Sequence, residues 1–333
     1  MKIDAVIIGA SGYGGGELLY WLSRHPQIAT IRGTSRGLSG KPFAHAHPNL
    51  RGVVPGEFES EIDWRQFAQS EQLVVFSALP HGELAQQLAD LEKAWAAAGI
   101  SERLLLIDLS GDFRTTRRGR FVYGLPEWNR AALVGAKRIA SAGCFATALQ
   151  LALLPLRGLE LGLIAATAVT GSSGSGTQPA ATTHHPTRAN DFRAYKTLSH
   201  QHNAEIELAM LANSITGTFA FVPQSGPFVR GIFATVQFLL PPSLTAESLH
   251  DRAKSVFDGS PFVRLVEESP RLAAVVGSNF ADVQVTATEQ SAAILVALDN
   301  LGKGMASQAV QSMNIALALP EVTGLWHPAR FPS

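Results

Sequence analysis

Cys144 is the one cysteine in a chain of 333 residues. It stands in Ala142-Gly143-Cys144-Phe145-Ala146-Thr147-Ala148, at the head of an apolar run that reads as a helix start. A lone thiol cannot close an internal disulfide, which leaves two readings: a small inert core residue or a nucleophile. Placement at a helix N-terminus suits a nucleophile, because the unpaired N–H groups and the dipole stabilise a thiolate. Such a thiolate needs a proton carrier, and His184, His185, His200 and His202 fall in one short segment with Arg188, Arg193, Tyr195 and Lys196. A histidine there can accept and return protons near neutral pH. A polar loop with capping histidines is the other reading. No metal is expected, since the histidine spacings and the lack of a second cysteine fit no familiar zinc set.

These groups need a scaffold, and the first thirty residues describe one. Ala5-Val6-Ile7-Ile8 reads as a buried strand, Gly9 to Gly16 as a glycine-rich turn, and Glu17 to Leu22 as a helix with apolar spacing. Gly9, Gly12 and Gly15 follow a GxxGxxG pattern, one residue looser than the common dinucleotide fingerprint but in the strand-turn-helix context that gives it meaning. Glycines let the backbone approach a pyrophosphate, whose charge then meets the helix N-terminus. The next strand, from Ile28, ends in Ser35 and Arg36 rather than a carboxylate, which favours NADP over NAD. Further strands at 73–78 and 104–109 flank a helix over 82–97, so strands and helices alternate as in a doubly wound parallel sheet. Ala146 to Val169 reads as a buried helix followed by a buried strand, its uncharged stretches too short to span a membrane. Gly171-Ser172-Ser173-Gly174-Ser175-Gly176 reads as a flexible polar loop.

Composition narrows the function classes. Hydrophobic residues make up 46% of the chain and charged residues 16%, with 27 basic residues against 27 acidic ones. That balance describes a globular protein with a large core and argues against nucleic acid as a partner. The length suggests two domains. The N-terminus enters a strand at once, without the pattern of a signal peptide, and a single thiol suits a reducing cytoplasm.

Taken together, several motifs identify a resemblance. Ile107-Asp108-Leu109-Ser110-Gly111-Asp112-Phe113-Arg114, Tyr123-Gly124-Leu125-Pro126-Glu127, Gly143-Cys144-Phe145, His200-Gln201-His202-Asn203-Ala204-Glu205-Ile206, Phe221-Val222-Pro223 with Val229-Arg230-Gly231-Ile232, and Asp299 to Gly304 resemble, in content and order, the signatures of the N-acetyl-gamma-glutamyl-phosphate reductase family. The series closes at Gln308 to Asn314 and so covers nearly the whole chain. The resemblance implies an NADPH-dependent reduction of N-acetylglutamyl 5-phosphate to the 5-semialdehyde, an arginine-biosynthesis step, through a Cys144 thioester. It assigns acid/base work to the His200/His202 pair, with His202 favoured as the proton carrier. It implies a cofactor site of Gly9, Ser11, Gly12, Tyr13, Gly14, Gly15, Ser35, Arg36, Ala78, Pro80, Ser173, Gly174 and Asn300. Arg114, Arg188 and Arg193 are candidates for the substrate's carboxylate or phosphate.

The fold expected is α/β, with a Rossmann-type NADP-binding domain over 1–143 plus 305–333. An α+β substrate domain over 144–304 carries a mixed or antiparallel sheet, whose uncovered face suits subunit contact, and the resemblance implies a homodimer or homotetramer. Ala142 stands where the family commonly has proline, and Gln201 where it has arginine between the histidines. Thr177-Gln178-Pro179 lacks a frequent arginine. The stretch from His184 to Lys196 instead resembles sister enzymes that reduce a carrier-protein-linked aminoadipyl phosphate, so a carrier-linked substrate is the alternative. Aspartyl-phosphate and glyceraldehyde-phosphate dehydrogenases would share the architecture but carry other signatures around the nucleophile. A non-catalytic NADP-binding sensor would have no use for the thiolate.

Overall fold

The computed structural model describes residues 1–116 and 120–331, so the last two residues of the expected first domain, 332 and 333, lie outside it. The chain divides into two compact units, Met1–Ala142 with Met305–Trp326, and Gly143–Gly304 with the residues from His327. Among the described residues no helix is long and apolar enough to cross a membrane.

The first unit is built on strands β1 (Ile3–Ile8), β2 (Ile28–Thr34), β3 (Phe58–Glu59), β4 (Gln72–Ser77), β5 (Leu104–Asp108), β6 (Val122–Gly124) and β7 (Arg138–Ser141). They pair in the order β3-β2-β1-β4-β5-β7-β6, parallel throughout. Helices cover a parallel sheet on both faces, which is why β1, β4 and β5 are near-continuous apolar runs rather than alternating ones. From β1 the chain runs outward through β2 and β3, then returns to place β4 on the other side of β1. The switch point between β1 and β4 is where open α/β sheets bind ligands. The C-terminal helix Ser307–Ala316 completes this unit. It is buried although rich in polar residues, and its Asn314 Oδ1 meets His25 Nε2 at 2.9 Å while its Asn314 Nδ2 donates to the Thr323 carbonyl at 2.9 Å. Burial of those amides is tolerated because they are paired.

The second unit holds β8 (Glu160–Thr170), β9 (Arg193–Ala194), β10 (Thr216–Ser225), β11 (Ile232–Leu239), β12 (Val263–Leu265), β13 (Ala281–Ala287) and β14 (Ser291–Leu298). Their order is β12-β13-β14-β11-β8-β10-β9, and the sheet is mixed, with β8 and β10 parallel while β11 runs antiparallel to β8 and β14. The α/β architecture expected from the sequence is therefore present. One face is covered by the helix Cys144–Leu153, which packs on β11 and β14. The opposite face is open. Leu163 is 58% and Leu239 78% exposed, so β8, which its sequence reads as a buried strand, is buried on one face only. An apolar run is ambiguous here, because the exposed positions of β8 are themselves largely apolar.

Register sets the functional edge of this sheet. Thr170 at the end of β8 pairs with Ile232 at the start of β11, which pairs with Leu298 at the end of β14. Ser225 at the end of β10 pairs with Thr170 in turn. The connections that leave β8, β10 and β14, beginning at Gly171, Gly226 and Asp299, therefore emerge side by side.

Candidate active site

In the first unit, the expected dinucleotide residues converge on the switch point. Gly9 leaves β1 with φ +84°, a left-handed conformation that glycine adopts without strain. Gly12 is the N-cap of the helix Tyr13–Ser23. A Cβ at Gly15 would run into the Ala10 carbonyl, so that glycine permits close helix–strand packing, whereas a Cβ at Gly12 would meet nothing within 4 Å. The chain thus keeps open backbone where a pyrophosphate would approach, and the residues fit the dinucleotide. Ser11 and Ser35 hydroxyls are 3.0 Å apart, Arg36 beyond them is exposed, and the Ala78 N–H donates to Ile8 O at 2.8 Å. Tyr13 and Gly14 open the helix that follows this turn, and Pro80 lies two residues beyond Ala78 in the connection after β4. Arg114 lies in this unit and donates to Ser141 O at 2.8 Å and Leu109 O at 2.7 Å, bracing the strand ends.

The second unit holds the candidate reactive groups. Cys144 is the first residue of the helix Cys144–Leu153 and is partly exposed. Gly143 is its N-cap and brings no capping side chain. Instead the Gly143 N–H donates to Glu205 Oε2 at 3.0 Å. Glu205 is buried in the first turn of the helix Asn203–Ala212, and its other carboxylate oxygen lies 3.8 Å from His202 Nε2. The residue after the cysteine, Phe145, packs edge-on against His200 and His202, with ring centroids at 5.4 and 6.2 Å. Both chain neighbours of Cys144 are therefore in contact with the histidine–carboxylate group.

His200 and His202 are not equivalent. The His202 N–H donates to His200 Nδ1 at 3.2 Å, which places the proton of a neutral His200 ring on Nε2. Burial, reinforced by Lys196, pushes the His200 imidazole down to about 4, against a smaller upward pull from Glu205. His200 is thus neutral at physiological pH, wedged among Phe145, Tyr195 and Phe221. His202 is the histidine that faces the carboxylate. Tyr195 joins the group, its phenol held well above the ordinary range first by burial and then by the charge of Cys144.

The turn after β14 closes on the thiol. Asp299, fully buried, accepts from the Leu301 and Gly302 N–H groups through Oδ1 and from Gly277 N–H through Oδ2, and it pairs with Arg230 at 2.7 Å. This fixes Gly304 so close to the nucleophile that a Cβ there would lie 3.0 Å from Cys144 Cβ. Asn300 accepts from Gly231 N–H at 2.7 Å and donates to Ser173 Oγ at 3.0 Å, and Ser173 Oγ donates to Val229 O at 2.7 Å. Ser173 and Asn300 thus bond to each other, and Gly174 beside them is exposed. The 171–176 segment, expected as a flexible loop, is an ordered 3-10 turn pinned by Ser172 and Ser173 N–H groups to the carbonyls of Phe228 and Val229.

His184 and His185 are exposed, at the start of the short helix His185–Arg188. The Arg193 guanidinium is committed to Asp191 at 2.7 Å and to Thr182 O at 2.8 Å. Arg188 is buried beside the end of β10, its Nη2 3.4 Å from Gly226 O. Sequence reasoning gave Glu205 no role. Its signals were its place in the motif His200 to Ile206 and the three-residue spacing from His202, which puts both on one helix face. Gly304 and Asp299 were marked only as the ends of the motif Asp299 to Gly304.

Comparison with known proteins places this geometry. Residues 4–136 match the family model described as the NAD binding domain of semialdehyde dehydrogenase, and residues 144–300 match its dimerisation domain. The N-acetyl-gamma-glutamyl-phosphate reductase of Methanopyrus kandleri is 37% identical over 98% of both chains, and that of Shouchella clausii is 35% identical over 99% of this chain and 100% of the relative. The LysW-L-2-aminoadipate 6-phosphate reductase of Deinococcus radiodurans is 33% identical over 97% of each. Among solved structures, the aspartate semialdehyde dehydrogenase II of Vibrio cholerae shares the fold with a TM-score of 0.73 at 17% identity, covering 96% of this chain and 99% of that one.

Proposed function

This chain belongs to the N-acetyl-gamma-glutamyl-phosphate reductase family, and from that premise we propose that it reduces N-acetyl-L-glutamyl 5-phosphate to the 5-semialdehyde with NADPH, releasing phosphate. The observation that carries the reading is the placement of Cys144 between two residues, Gly143 and Phe145, that both contact the Glu205–His202–His200 group.

Cys144 Sγ attacks the acyl carbonyl carbon, the carbon–oxygen bond to the phosphoryl group breaks, and phosphate leaves a thioester on the enzyme. The helix N-terminus stabilises negative charge on the sulfur before attack. NADPH, when bound, would supply the hydride that reduces this thioester. His202 then gives a proton to the resulting oxyanion and takes it back as the thiohemiacetal collapses, which breaks the carbon–sulfur bond and frees the aldehyde. Glu205 orients His202 and supports its charged form. His200, neutral, packs the wall of the site.

Gly9, Ser11, Gly12, Tyr13, Gly14 and Gly15 hold the cofactor pyrophosphate, with Ala78 and Pro80 alongside. Ser35 and Arg36 take the 2′-phosphate, a selection supported by the lack of a carboxylate at the end of β2. Ser173, Gly174 and Asn300 complete the cofactor set that the resemblance implies. Self-association through the open face of the second sheet, around Leu163 and Leu239, is supported by their exposure and by the dimerisation-domain match. A carrier-linked aminoadipyl phosphate is the second reading, favoured by the Deinococcus relative.

The test is phosphate-dependent oxidation of N-acetyl-L-glutamate 5-semialdehyde by NADP, with mass analysis of Cys144 after exposure to acyl phosphate alone. Expected are turnover, an acyl adduct on Cys144, and loss of both in Cys144→Ser. Full activity in Cys144→Ser sinks the covalent mechanism, and turnover only of a carrier-linked substrate selects the second reading.

A further inference from the structure

Arg188 differs from every other arginine considered for the site. Its residue is only 9% exposed, and its Nε is buried with no hydrogen-bond partner among the described residues. Its hydrogen bond from Nη2 to Gly226 O, at 3.4 Å, is long. Asp191, the nearby carboxylate, is engaged by Arg193 at 2.7 Å. A buried guanidinium with an unused donor carries a desolvation cost: burial first and Arg193 second disfavour its charge, and Tyr195 and Asp191 offset this only in part. An incoming anion would offset that cost, and a carboxylate is the group a guanidinium fork matches in geometry.

Position says which anion. Gly226 follows β10, whose Pro223 carbonyl receives the Tyr195 N–H at 3.1 Å and whose Phe221 ring packs on Phe145 at 5.4 Å and His200 at 5.7 Å. Tyr195 feels the charges of both Cys144 and Arg188, whereas the charged neighbours of Arg188 are Arg193, Tyr195 and Asp191. Arg188 meets Gly226, three residues past the Pro223 carbonyl that holds Tyr195 and farther along β10 from the Phe221–Phe145 contact beside the nucleophile, so it stands beyond Tyr195 along this strand. The phosphoryl group is bonded to the carbonyl that the sulfur attacks, too near the thiol for this position. The α-carboxylate of a glutamyl chain lies four carbon–carbon bonds from that carbonyl, about 5 Å when extended.

We infer that Arg188 is the specificity-determining residue for the carboxylate at the far end of the substrate, received at its unpartnered Nε–H. This rests on the acyl-phosphate reductase reading above and extends it, since both candidate substrates carry that carboxylate. Arg114 and Arg193 have spent donors on their own main chain and on Asp191, so Arg188 alone of the three keeps a buried donor for it.

The experiment compares N-acetyl-L-glutamate 5-semialdehyde with 4-acetamidobutanal, the same aldehyde without the carboxylate, in wild type, Arg188→Gln and Arg188→Lys. Expected for Arg188→Gln is a rise in KM for the carboxylated aldehyde of about 10- to 100-fold, the range for a lost charged hydrogen bond. kcat/KM for 4-acetamidobutanal stays unchanged, and Arg188→Lys recovers part of the loss. An equal loss on both aldehydes marks a structural role and overturns the assignment, as does no loss on either. A wild type that oxidises neither of these aldehydes nor the aldehyde of a carrier-linked substrate overturns the reductase reading itself, and this inference with it. An active wild type beside an unaffected Arg188→Gln overturns this inference alone.

Discussion

The Gly143 N–H donates to Glu205 Oε2 at 3.0 Å, and both groups are buried. One carboxylate thereby ties the helix that presents the thiol to the helix that presents His202, whose Nε2 lies 3.8 Å from the other carboxylate oxygen. Acid/base geometry and nucleophile placement are set by the same side chain.

Glu205→Gln keeps an oxygen that can accept from Gly143 but removes the charge that faces His202. The expected outcome is a fall in kcat of about 100-fold, within the range ascribed to general acid–base catalysis. KM for NADPH holds. Steady-state kinetics beside thermal unfolding checks this, since a packing defect would lower the melting temperature along with kcat.

Gly304→Ala puts a methyl group 3.0 Å from Cys144 Cβ and 3.1 Å from Asp299 O. Either the turn or the thiol must move. Overpacking of this kind costs about 1–3 kcal/mol, and the expected functional effect is a larger loss in kcat than in cofactor affinity. Thermal unfolding with nucleotide titration separates the two.

Asp299→Asn replaces an oxygen that accepts from main-chain N–H groups and Arg230 with an amide donor. Breaking a buried charge pair from one side costs about 3–5 kcal/mol. Denaturant titration should show the loss, and activity should fall with it, because the turn bearing Gly304 rests on that carboxylate.

His200 carries a pH dependence of stability. The unfolded chain takes up a proton on this imidazole near pH 6.5, while the folded chain resists until about pH 4. The contribution is therefore fully present above pH 6.5 and is lost as pH falls toward 4. His200→Gln should flatten the decline in melting temperature across that window, and an unchanged slope would refute the assignment.

Local features were legible in the sequence. Apolar runs punctuated by glycine marked β1, β4 and β5, because a strand covered on both faces leaves a continuous hydrophobic record, and the glycine turn before a helix marked the dinucleotide end of the first unit. The alternation of strands with helices gave the α/β class. The second sheet was harder, since β8 is apolar on its exposed face as well as on its buried one, and the 171–176 segment has linker composition yet is held by Phe228 and Val229.

For the candidate site, the sequence by itself determined the reactive types: one thiol, a histidine pair, a glycine turn and a set of arginines. Tertiary structure alone decided their partners. Cys144 and Gly304, Glu205 and Gly143, and Arg188 and Gly226 are distant in the chain, and their proximity depends on strand register and helix packing. Whether a charged side chain is spent or available follows from the acceptors around it. Arg114 and Arg193 are occupied while the Arg188 Nε–H is not, for reasons that lie in folded carbonyl and carboxylate positions rather than in residue type.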